Sequence, residues 1–99
     1  MLKENDRTEL KECLTPELEK EAVAMLNAKG GHIYIGVKDD GSVAGVQNPD
    51  ELQLKIKDRL INNIRPSIMG LFEVDCKEID GKDVVVVGLA SGIAQPYYI

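Results

Sequence analysis

Asn27-Ala28-Lys29-Gly30-Gly31-His32-Ile33-Tyr34-Ile35-Gly36-Val37-Lys38-Asp39-Asp40-Gly41-Ser42 is the stretch on which the fold turns. Before it, Leu18, Ala22, Met25 and Leu26 recur at helical spacing, behind a Leu14-Thr15-Pro16-Glu17 start that offers a Thr N-cap and a proline in the first turn. Gly30-Gly31 stops that helix, with Gly30 suited to the left-handed position past its end. From His32 to Lys38 the period changes to two. Ile33, Ile35 and Val37 face one way; His32, Tyr34 and Gly36 face the other. Asp39–Ser42 makes a hairpin turn and Val43–Val46 returns as a strand.

Working outward, Thr8–Glu12 reads as a short first strand. Asn48-Pro49-Asp50-Glu51 has the form of a capping box and opens a second helix that runs to about Asn63, where Arg65-Pro66 closes it. Leu71–Ile79 and Lys82–Leu89 form a hairpin around Asp80-Gly81. Val84–Val87 is apolar on both faces, which predicts the central strand. The order β-α-β-β-α-β-β predicts an α+β fold: a mixed sheet with two helices packed on one face.

The chain has 99 residues, 43% of them hydrophobic, which suits one domain over 1–99 and excludes disorder as the main state. The longest apolar run, Val84–Ala90, falls far short of a membrane span, and the charged opening is unlike a signal peptide. Two cysteines, Cys13 and Cys76, and one histidine give neither a disulfide framework nor a structural zinc spacing. A cytoplasmic protein without a resident cofactor or metal is expected. The net charge of −5 means that any grip on nucleic acid must come from a local patch. The end at Gln95-Pro96-Tyr97-Tyr98-Ile99 is extended and apolar, which suggests a piece of a longer protein.

Five features carry chemistry. Asn27-Ala-Lys-Gly-Gly31 is either a tight turn or a backbone-amide pocket for phosphate. Lys55, Arg59 and Asn62 share one arc of the second helix, as a phosphate-contact stripe or a solvated face. Leu54 and Ile61 widen that helix's apolar arc beyond what a surface helix requires, and so suggest packing on a partner. Asp39-Asp40 suits a metal-binding pair or a self-bonded turn. Glu4 and Glu9 converge only if the chain bends near Asn5–Arg7. His32 lacks an orienting partner in sequence, and Cys76 reads as a small core residue.

The combination of Glu4-x4-Glu9-Leu10-Lys11, a helix ending Ala24-Met-Leu-Asn27-Ala-Lys-Gly30-Gly31, and His32-Ile-Tyr-Ile-Gly36-Val37-Lys-Asp39-Asp40-Gly41-x3-Gly45-Val46 resembles the Schlafen/AlbA-like (divergent AlbA) DNA-binding domain. Pro66, the Asp80-Gly81-Lys82 hairpin and Gln95-Pro96-Tyr97-Tyr98 agree with it in order and spacing. The resemblance implies a module that heads a longer bacterial transcriptional regulator. It implies, alternatively, a nuclease for structured RNA whose three acids match Glu4, Glu9 and either Asp39 or Asp40, with Mg²⁺ or Mn²⁺ as cofactor. Leu10 stands where that family usually has an aromatic residue.

The expectation is therefore a DNA-binding module with contacts from Asn27, Lys29, Gly30, Gly31, Lys55 and Arg59. It forms a homodimer through Leu54 and Ile61. The metal-dependent nuclease and a pure oligomerisation domain are the alternatives.

Overall fold

The computed structural model describes residues 2–99. Its elements are β1 (Thr8–Lys11), α1 (Leu18–Leu26), β2 (Gly31–Ile35), α2 (Pro49–Asn63), β3 (Phe72–Ile79) and β4 (Lys82–Leu89). The strands form one mixed sheet in the order β1-β2-β4-β3. β1 runs parallel to β2, while β2–β4 and β3–β4 are antiparallel. The return strand expected at Val43–Val46 is reduced to the single bridge Val37–Val43, so the β-α-β-β-α-β-β order stands with its third strand nearly vestigial. β4 is the central strand, and Val84 to Val87 are all buried, as residues covered on both faces must be.

Alternation along the strands sorts the core into two clusters. Ile33, Ile35, Val85 and Val87 meet Leu18, Ala22, Met25 and Leu26 of α1 and Ile56 and Leu60 of α2. Both helices therefore cover one face of the sheet. On the other face Leu10, Val37, Val84 and Val86 pack under Leu2, Tyr34 and Val43. Asp80 and Gly81 both have positive φ (52° and 75°), the conformation of the tight hairpin turn that joins β3 to β4.

Three local expectations are corrected. Thr15 does not cap α1: its Oγ1 accepts from the Glu17 N–H at 3.2 Å, which makes a turn, and the helix starts at Leu18. Asn48 is left-handed (φ 50°) and its side chain bonds no helix amide, so the capping box before α2 is not formed. Cys76 is exposed rather than core, because β3 is an edge strand.

Candidate nucleic-acid interface

The double glycine joins α1 to β2 where three backbones crowd. Gly30 (φ 78°) donates to Met25 O at 2.9 Å, and a Cβ there would lie 2.3 Å from Leu89 O. A Cβ on Gly31 would lie 2.6 Å from Arg7 O and 2.9 Å from Met25 Sδ. These glycines are required by backbone packing, and the Gly30 amide is already used. Asn27 is likewise engaged: its Nδ2 donates to Tyr97 O at 3.0 Å and its Oδ1 accepts from the Tyr97 N–H at 2.6 Å. That pair of bonds fastens the C-terminal segment beneath the end of α1, where Tyr97 is buried and its hydroxyl accepts from the Ala94 N–H. Lys29, two residues on, is exposed and has no ion-pair or hydrogen-bond partner among the described residues.

On α2 the expected basic stripe divides. Arg59 turns inward, where its guanidinium pairs with both carboxylate oxygens of Glu19 and its Nη2 donates to Thr15 O at 3.1 Å. Asn63 adds a bond to Glu19 Oε2 at 2.8 Å. The Arg59 bond holds the buried Glu19 carboxyl down at about 2 against the opposing effect of burial, and Glu19 in turn raises Arg59. Asn62 bonds back to Asp58 of its own helix. Of Lys55, Arg59 and Asn62, only Lys55 keeps an exposed charge without a partner among the described residues, beside Leu14, Thr15 and Pro16. Lys29 follows the C-terminal end of α1 and Lys55 adjoins its N-terminal end. The two are therefore about 13 Å or more apart along nine helical residues rather than in one pocket.

The bend required for the acids exists. Asn5 and Thr8 bond each other's backbone, and Asn5 Oδ1 accepts from the Arg7 N–H at 2.8 Å. Glu4 is thereby carried back onto β1, where its Oε2 accepts from the Leu10 N–H at 3.2 Å and its carboxyl adjoins Glu9. The hydrogen bond to Glu4, then burial, then the negative charge of Glu21 push Glu9 up to about 7, while Glu4 is lowered by the same bond. Glu21 also pairs with Lys11 at 2.8 Å. Sequence reading overlooked it, and its signal was its two-residue offset from Glu19, which puts the two on opposite flanks of α1.

The third acid does not join them. Asp40 Oδ1 accepts from the Ser42 amide and hydroxyl, an ordinary turn role, and Asp39 is exposed at the same turn. Among the described residues no three His, Cys, Asp or Glu side chains gather as a metal site. Glu4 and Glu9 are thus brought together without Asp39 or Asp40. No described helix is long and apolar enough to cross a membrane.

A family comparison completes these observations. The model of the Schlafen, AlbA_2 family matches residues 4–99, and the chain belongs to that family. Among solved structures, it is similar to the N-terminal domain of a RecG-related protein from Nitrosomonas europaea, whose name places it near an ATP-dependent DNA helicase. The TM-score is 0.76 at 20% identity, over 98% of this chain and 72% of that one. It is also similar to the DIP2311 protein from Corynebacterium diphtheriae, at a TM-score of 0.60 and 22% identity over 93% of this chain and 19% of that one. At these identities the likeness shows the fold. A curated relative, the H3 lysine-9-specific histone-lysine N-methyltransferase SUVH5 of Arabidopsis thaliana, is 34% identical over 71 residues; the match spans 72% of this chain and 9% of the relative's length.

Proposed function

We propose that this chain is the nucleic-acid-binding module of a longer protein of the transcriptional-regulator kind, with Lys29 and Lys55 as its phosphate contacts. The observation that carries this reading is family membership across nearly the whole chain. The DNA-helicase name of one structural neighbour agrees with it. Exposed lysines without partners are the groups left to meet phosphate once Arg59 and Asn27 are engaged inside the fold. Contacts of that type position a duplex without reading its bases, so binding is weak and sequence-tolerant. The same reading takes the module to be a homodimer joined through Leu54 and Ile61.

A second reading, the metal-dependent nuclease, is favoured by one observation: the convergence of Glu4 and Glu9. The separate position of Asp39 and Asp40 ranks it below binding. A titration of labelled duplex DNA and of hairpin RNA tests both. The Lys29→Glu, Lys55→Glu variant should lose binding and keep its fold; unchanged affinity refutes the lysine site. With Mg²⁺ or Mn²⁺ neither substrate should be cut, and cleavage that disappears in Glu9→Gln would put the nuclease first.

A further inference from the structure

α2 leaves an apolar stripe uncovered. Leu54 is 67% exposed and Ile61 41% exposed. Seven residues apart, they lie only about 20° from each other around the helix, on the side away from the buried Ile56 and Leu60. Lys57 and Asp58 occupy opposite shoulders of the stripe, each about 50° from its midline. Lys57 is exposed and has no ion-pair partner among the described residues. Asp58 uses Oδ1 for the Asn62 amide and keeps Oδ2 free.

We propose that this stripe binds the α2 of a second copy of the chain, with the two helices parallel. This rests on the homodimer reading above and specifies its geometry. When two parallel helices are related by a two-fold axis along their length, Leu54 faces Leu54 of the second copy and Ile61 faces Ile61. Lys57 of each copy then stands beside Asp58 of the other, on both shoulders. An antiparallel pair, with its two-fold axis across the helices, sets Lys57 against Lys57 and Asp58 against Asp58. Flanking charges of this kind choose orientation in paired helices. The sheet lies on the far side of α2, away from the stripe. Two apolar residues per copy make a small contact, and the dimer is concentration-dependent.

The test uses the whole chain with Cys13→Ser and Cys76→Ser, and adds Leu54→Cys or Ile61→Cys singly. Mild oxidation should join each single variant to itself through a disulfide. Sedimentation of the wild type up to millimolar concentration should show a monomer–dimer equilibrium. Lys57→Glu should weaken the dimer roughly tenfold through two repelling shoulders, and adding Asp58→Lys should restore it. A wild-type monomer throughout overturns the homodimer itself. A dimer in which only a mixture of the Leu54→Cys and Ile61→Cys variants cross-links overturns the parallel arrangement and leaves the homodimer standing. A dimer that cross-links in neither way overturns the α2 face as its site.

Discussion

Gly30 and Gly31 show how far a residue can be read from its neighbours in sequence. That they end a helix is legible, because a left-handed position favours glycine. That no side chain fits there is not, since the obstructing carbonyls of Leu89 and Arg7 arrive from distant parts of the chain. Gly30→Ala should therefore cost about 3 kcal/mol or more, from backbone strain plus displacement of β4, measured by urea unfolding. Asn27 has the same history. Its partner Tyr97 is seventy residues away, and the paired bonds to one backbone unit show why an amide is needed. Asn27→Ala should cost about 1–3 kcal/mol and expose residues 91–99 to hydrogen exchange. Glu9 yields a pH effect. A carboxyl held near 7 in the fold and near 4.5 when unfolded keeps its proton in the native state while the unfolded chain loses it. Stability therefore falls as pH rises from about 4.5 to 7, by on the order of 1 kcal/mol after discounting for solvent and for the opposing shift at Glu4. Glu9→Gln should remove that slope and stabilise the protein at pH 7.5; an unchanged slope would mean that the Glu4–Glu9 contact does not form in solution.

At the scale of elements, α1 is held from both sides by acids two residues apart, Glu19 to Arg59 of α2 and Glu21 to Lys11 of β1. The arc shared by Lys55, Arg59 and Asn62 was legible from helical geometry. That Arg59 would be drawn inward was not, because Glu19 lies forty residues earlier. The caps misled for a related reason: Thr15 and Asn48 bear the right side chains, but turn geometry at each site leaves no helix amide within reach. Glu19→Ala strands a half-buried guanidinium and should cost about 2–4 kcal/mol, whereas Glu19→Leu with Arg59→Met should cost much less. The folded Glu19 carboxyl sits at about 2, below its unfolded value. Its stabilisation is therefore fully present above about pH 4.5 and is lost as pH falls toward 2. Wild type and the double variant Glu19→Leu, Arg59→Met should thus converge in stability in acid, as followed by circular dichroism.

For the whole molecule, alternation placed Ile33 and Ile35 on the helix-covered face but wrongly put Val37 with them, because β2 ends at Ile35 and Gly36 (φ 111°) breaks the period, so that Val37 packs on the other face; the double-sided run Val84–Val87 revealed the centre of the sheet. The site was less legible because charge is shared out by tertiary contacts. Of the lysines and arginine named as phosphate contacts from sequence, Arg59 serves the core and Lys29 and Lys55 face solvent at opposite ends of α1. In the proposed mode of binding those two lysines are the phosphate contacts, and each phosphate they neutralise would release condensed counterions. The most direct measurement is the dependence of duplex-DNA affinity on salt, per chain, for the wild type and for Lys55→Ala. A slope of log K against log salt of roughly −1.8, falling to about −0.9 in the variant, is the expected result. A slope near zero in the wild type, or one that Lys55→Ala leaves unchanged, would contradict a phosphate-binding role for this surface.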